Sequence, residues 1–123
     1  MPHIAGLELE NWSIERFRKS TTLPISVQAS LEAIAVTTAH FGIRKPFHVR
    51  LLSPIAVRLS LWLLPRLAPF NVEGFLLQHF IKVGGQTRDL IMEYIRESDR
   101  QCIHHDGLST LNRRLAPRLP EPQ

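Results

Sequence analysis

Asn71-Val-Glu-Gly-Phe-Leu-Leu-Gln-His-Phe-Ile-Lys-Val-Gly-Gly-Gln-Thr-Arg-Asp-Leu-Ile-Met-Glu-Tyr-Ile95 is the stretch on which the fold turns. Val72, Leu76, Phe80, Val83, Thr87, Leu90 and Tyr94 follow one another at steps of three or four. That spacing keeps them on one face of a helix, so the pattern predicts one long helix over 71–95. His79, Lys82, Gln86, Asp89 and Glu93 run at the same spacing along another face and are all polar. Asn71 suits an N-cap, and Glu73 stands in the first turn, where the helix dipole favours an acid. Gly84-Gly85 breaks the pattern, because mid-helix glycine costs about 1 kcal/mol relative to alanine. A kink, or a neighbour or ligand approaching the backbone, is expected there. The fold class that follows is all-α: a small bundle of about four to five helices organised on this one long helix.

Upstream, Val27, Leu31, Ile34, Thr38 and Phe41 predict a helix over Ser26–Phe41. Ser26 is its expected cap, and Gln28, Ser30 and Glu32 are expected to face water. Gly42 stands where a left-handed residue commonly closes a helix, with His40 in the last turn, favourable to the dipole. Ser53-Pro54 signals the next start, with serine as cap and proline in the first turn. Ile55 to Leu64 is apolar on nearly every side, which predicts a buried or interface helix, ended by Pro65 and Pro69. Residues 1–24 are weakly patterned and are expected to be loosely ordered, apart from a short helix over Trp12–Arg18. The run 19–24 reads as a linker or turn. Downstream, Arg96–Asp106 continues the long helix or frays from it. Gly107 reads as a stop, and Leu108, Leu111 and Leu115 mark a short closing helix with Arg113 and Arg114 near its end. Three prolines predict a disordered tail over 117–123. The helical domain is thus expected over 25–116.

A chain of 123 residues suits one domain. Its net charge of +4 comes from Lys and Arg scattered in ones and twos, with no dense basic stripe, so no nucleic-acid partner is expected. One cysteine, Cys102, excludes a disulfide framework. The first ten residues lack a signal-peptide pattern, and the most apolar window, Leu51–Phe70, is interrupted by Arg58, Pro65 and Arg66. Its uncharged runs fall short of the roughly 20 residues a membrane span needs. A cytoplasmic protein without membrane contact is therefore expected. A membrane-surface helix over 55–64 is the weaker expectation, because its polar face is small.

Few residues suggest chemistry by themselves. Cys102, His104 and His105 match no standard zinc spacing, and a Cys-His catalytic pair needs a third, orienting group. No metal site is expected. No glycine-rich nucleotide fingerprint or phosphate loop is present. The polar line of the long helix is the remaining candidate. It is a solvated face, or it presents Lys82, Gln86 and Arg88 to an anionic ligand or a partner domain.

Leu64-Pro-Arg-Leu-Ala-Pro-Phe-Asn-Val-Glu73, His79-Phe-Ile-Lys-Val-Gly-Gly-Gln-Thr-Arg88 and Gly107-Leu-Ser-Thr-Leu-Asn-Arg-Arg-Leu115 together resemble the C-terminal helical domain of ketopantoate-reductase-like oxidoreductases. The resemblance covers roughly Ser26 to Leu115. It implies an all-helical domain like the C-terminal domain of 6-phosphogluconate dehydrogenases. It further implies an NADP-dependent reduction of a 2-keto acid, with NADP bound by a Rossmann domain that this sequence lacks. The segment carrying the family's catalytic lysine is missing too. Lys19 does not match its context, so no catalytic residue is assigned. Lys82, Gln86, Thr87 and Arg88 are the implied substrate-side residues, with Glu97 and Asp99 in the region of the family's acid. The expected partners are a Rossmann domain or a second copy of the chain. The expected function is that of a substrate-side or dimerisation domain, inactive alone. The alternative is a stand-alone helical module that self-associates through Ile55–Leu64 and Gly84-Gly85.

Overall fold

In the computed structural model, which describes residues 1–80 and 84–118, the spine of the molecule lies before the 71–95 stretch. The described residues form seven α-helices: α1 (Pro2–Leu9), α2 (Ile14–Lys19), α3 (Thr22–Phe41), α4 (Pro54–Leu67), α5 (Val72–Phe80), α6 (Gly84–Arg100) and α7 (Asp106–Leu115). Short 3-10 turns occupy Phe47–Leu51 and Ala116–Arg118, and no strand occurs among the described residues. The chain is all-α, as expected.

Two apolar clusters form the core, and α3 contributes to both. Leu23 and Val27 join Leu7, Ile14, Phe17 and Val72 in one cluster. Ala29 joins Ala5, Ile91, Leu108, Leu111 and Leu115 in the other. The 71–95 stretch supplies one buried apolar residue to each, Val72 and Ile91, so it is not the organiser. It is described as α5 and α6, with 81–83 outside the described residues. The buried line of α6 also differs from the expected one. Thr87 is buried as that line has it, but Leu90 is exposed, while Arg88, Ile91 and Ser98 are buried.

Residues 1–24 differ most from expectation: they hold α1, α2 and the first turn of α3. The buried positions of α1 are Pro2, Ala5, Gly6 and Leu7, mostly small residues that leave a weak hydrophobic pattern. Small residues matter here because the helices touch. A Cβ on Gly6 would stand 2.4 Å from Ser26 Oγ and 2.5 Å from Phe17 Cε2. Asn11 and Trp12 both take left-handed backbone and turn the chain into α2, where Ser13 Oγ accepts the Arg16 amide at 3.3 Å. A second cap reaches α2 from afar: the Ile14 amide donates to Glu73 Oε1 at 2.8 Å.

Helix α3 begins at Thr22, four residues before the expected cap, so the 19–24 run holds the end of one helix and the start of the next. Pro24 is tolerated because first-turn amides lack intrahelical acceptors anyway. Ser26, Ser30 and Glu32 are buried where α1 and α7 pack, whereas Gln28 is exposed as expected. Gly42 closes α3 with φ 65°, in the left-handed conformation that glycine adopts without strain. Ser53 Oγ caps α4 through the Ala56 amide at 3.2 Å, and Asn71 Oδ1 caps α5 through Gly74 at 3.1 Å.

Helix α4 runs through Pro65 to Leu67 instead of ending there. The proline leaves the Leu61 carbonyl without its helical donor, and the ladder resumes beyond it, where the Ala68 amide donates to the Leu64 carbonyl at 3.0 Å. Of the two expected alternatives, a buried or an interface helix, the first does not hold: no residue of α4 is fully buried. Only its Val57 and Leu61 side packs on the core, followed by Ala68 just past its end.

Gly107 is not a stop but the second residue of α7. A Cβ there would stand 2.8 Å from the Ala29 backbone nitrogen. The helix N-terminus presses on α3 and is capped by it. Glu32 Oε1 accepts the Gly107 amide at 3.1 Å, and Oε2 accepts the Leu108 amide at 2.9 Å. Pro117 and Arg118 lie in the closing 3-10 turn, and the rest of the expected tail, 119–123, lies outside the described residues.

Candidate functional site

The four residues implied as substrate-side do not come together as a described site. Lys82 lies outside the described residues. Gln86 is exposed on α6 beside Asp89, and Glu93 follows them on the exposed polar line. Thr87 is 1% exposed, with its hydroxyl 3.9 Å from Met1 Sδ. Arg88 is buried, and its Nη2 pairs with Glu8 Oε1 of α1. Thr87 and Arg88 thus hold α6 on α1, which is a packing role. Nothing within the described chain comes within 4 Å of a Cβ built on Gly85.

A concave feature lies instead between α3 and α6. A groove of about 390 Å³ is lined by Ile34, Thr37, Ile43, His48 and Tyr94 among others. A smaller hollow of about 190 Å³ continues past Thr37 and Tyr94 to His40, Phe41, Glu93 and Glu97. The two share Thr37 and Tyr94 and form one trough. Its floor is apolar. The hydroxyls of Thr37 and Thr38 donate to carbonyls of their own helix, at 2.8 Å to Ala33 and Ile34, so they offer only lone pairs.

Glu97 is the chemically distinct group at the end of the trough. Its Oε1 accepts from Gln101 Nε2 at 2.6 Å and lies 3.0 Å from His40 Nδ1, and its Oε2 accepts from Arg100 Nη1 at 3.2 Å. The Gln101 hydrogen bond, then that of His40, holds this carboxyl below the usual carboxylate range. Hydrogen bonds to the charged form favour it. Glu97 is therefore an anionic acceptor at neutral pH, suited to a substrate hydroxyl and unsuited to donating a proton. His40 and Glu97 are 57 residues apart, and no local spacing links them.

Asp99, the other candidate acid, belongs to a different arrangement. Its Oδ1 lies 2.7 Å from His105 Nε2, and His105 Nδ1 lies 2.8 Å from Ser109 Oγ. The order Ser-His-Asp invites comparison with a nucleophilic triad, which also needs oxyanion donors and a substrate cleft. The nearby amides of Gly107 and Leu108 are taken by Glu32, so they cannot serve as those donors. His105 clasps the end of α6 to the start of α7. His104 pairs with Asp106 at 3.2 Å, and Cys102 is exposed in the left-handed turn between the two helices. Among the described residues, no three His, Cys, Asp or Glu side chains converge on a metal position.

No family model, no curated protein and no solved structure matches this chain.

Proposed function

We propose that this chain is the substrate-side helical domain of a ketopantoate-reductase-like, NADP-dependent oxidoreductase that reduces a 2-keto acid. In this proposal its fold is akin to the C-terminal domain of 6-phosphogluconate dehydrogenases, and it works only with a Rossmann domain docked against it. The observation that carries the proposal is Glu97. By the resemblance it falls in the region of the family's substrate-side acid; it faces the α3–α6 trough and is kept ionised by Gln101, His40 and Arg100. NADP, held by the Rossmann domain, supplies the hydride. Glu97 accepts a hydrogen bond from a hydroxyl of the keto acid and so orients its carbonyl.

In this proposal the same charge also keeps the chain from acting alone. A 2-keto acid is an anion, and Glu93 and Glu97 repel it. A cation from the partner domain is needed to hold the carboxylate. Thr87 and Arg88 support the site indirectly, by fixing α6 on α1.

The test is complementation in trans. The chain is mixed with a separately purified Rossmann domain of a ketopantoate-reductase-like enzyme, and NADPH oxidation is followed with ketopantoate. The pair turns over, and neither part does so alone. Glu97→Gln lowers kcat/KM of the pair by roughly 10- to 100-fold, as expected for a substrate-hydroxyl hydrogen bond. Turnover by the chain alone would sink the proposal, and so would a pair that forms no complex.

A further inference from the structure

Helix α4 is apolar on both sides, and no described residue covers one of them. Val57, Leu61 and Ala68 pack inward. Ile55, Leu59, Trp62 and Leu63 point outward and are 77%, 61%, 41% and 40% exposed. Their spacing places them along one side of the helix. In the connector before α4, Phe47 and Leu51 are exposed as well, at 77% and 68%. Single exposed apolar residues are ordinary, but a continuous helix side of them marks an interaction surface.

The charges of the same segment identify what covers it. From Ala33 to Val72 there is no Asp or Glu, although the chain has eleven. Arg44, Lys45, Arg50, Arg58 and Arg66 all fall within that span. The cations stand beside aromatic rings: the Arg66 guanidinium lies 4.1 Å from the Trp62 ring centroid, and that of Arg50 lies 5.9 Å from Phe47. Outward aliphatic residues, interfacial tryptophan, edge arginines and no acid make the composition of a surface that lies on anionic lipid. In a self-complementary two-fold contact of this segment, the second copy would bring no acid to meet these cations. Among the described residues no helix is long and apolar enough to cross a membrane. The surface therefore lies on a bilayer and does not span one.

We infer that the outer side of α4, with the basic connector before it, docks this chain on an anionic lipid bilayer. Insertion of Ile55, Leu59 and Trp62 among the acyl chains supplies the apolar part of the contact. Arg44, Lys45, Arg50 and Arg66 meet the head-group charge. The small polar face seen in the sequence argued against a membrane-surface helix. In the fold the inner side packs on protein, so α4 needs no polar face of its own.

Co-sedimentation of the full chain with vesicles tests this, using phosphatidylcholine alone and phosphatidylcholine with phosphatidylglycerol. Binding at least tenfold stronger to the anionic vesicles, and weakened by added salt, is expected. Leu59→Glu, at an exposed position, lowers that binding tenfold or more while circular dichroism shows an unchanged helical fold. Arg44→Glu with Lys45→Glu lowers anionic binding and leaves phosphatidylcholine binding as it was. Equal binding to both vesicle types overturns the inference. So does absence of binding together with a concentration-dependent oligomer that Leu59→Glu dissolves, which would assign the face to a second copy.

Discussion

Replacing Glu32 tests the packing of α7 directly, because this carboxylate does for α7 what a local cap does elsewhere. His105, at the N-cap position, makes no side-chain cap bond. Glu32 instead reaches across from α3 and accepts both the Gly107 and the Leu108 amides. A hydrogen bond to a charged group contributes about 1.5–3 kcal/mol, and stranding a buried donor costs about 1–3 kcal/mol. Glu32→Ala strands two amides at a helix N-terminus where the dipole also favours an anion, so the expected loss is about 3–5 kcal/mol. A chain of this size has roughly 6–18 kcal/mol of stability in all, so the change is large. Glu32→Gln keeps one acceptor oxygen but loses the charge, and about half that loss is expected. Urea unfolding at neutral pH, followed by circular dichroism, measures both. Gln28→Ala is the control, since Gln28 is exposed and only steadies Glu32 through a 3.0 Å hydrogen bond. A Glu32→Ala protein within about 0.5 kcal/mol of the parent, the ordinary range for a surface change, would refute the capping role.

Two glycines give opposite expectations. Gly6→Ala drives a Cβ into Ser26 and Phe17 and costs about 1–3 kcal/mol by overpacking, whereas Gly85→Ala meets open space and gains up to about 1 kcal/mol of helix propensity. Thermal melts of both variants check this, and a Gly6→Ala protein as stable as the parent contradicts the close α1–α3 approach. Acid stability is expected to fall in two stages. Burial, then the nearby N-terminal ammonium, holds His3 below its ordinary 6.5, so the fold prefers neutral His3. Its contribution is complete above pH 6.5 and is lost as the pH falls from there to the depressed folded value. Glu97 and Glu15 are also depressed, so their contributions are complete above the ordinary carboxylate range and are lost as the pH falls from there through their own lower values. Denaturation midpoints of the parent and His3→Asn between about pH 7 and pH 5.5 separate the stages, and an unchanged slope in His3→Asn rules His3 out.

Punctuation was the most legible part of the sequence. Gly42 closes α3, Ser53-Pro54 opens α4, Asn71 caps α5, and Leu108, Leu111 and Leu115 face inward, all as local spacing predicts. These features depend on residues within about one helical turn of one another. What escaped depends on residues far apart. Glu32 looked like a solvated helix residue because its partners are 75 and 76 residues away. Glu73 looked like a dipole acid and also caps α2 from 59 residues away. The 1–24 segment looked unpatterned because α1 buries mostly small residues against α3, α6 and α7, and α2 is too short to show a period. At the candidate site, Glu97 was within reach of the family resemblance, but its pairing with His40 was not. Arg88 looked like a ligand residue until Glu8, 80 residues away, supplied its carboxylate.

The capping of α7 by α3 has a consequence for how the molecule breathes. The first amides of a helix ordinarily lack protein acceptors and exchange their protons with water readily. Gly107 and Leu108 are protected by a side chain of another helix. Their exchange therefore does not report fraying of α7. It reports the two helices parting, which also opens the cluster of Ala29, Ile91, Leu108 and Leu111. Two amides at the start of the last helix thus keep time for the opening of the core.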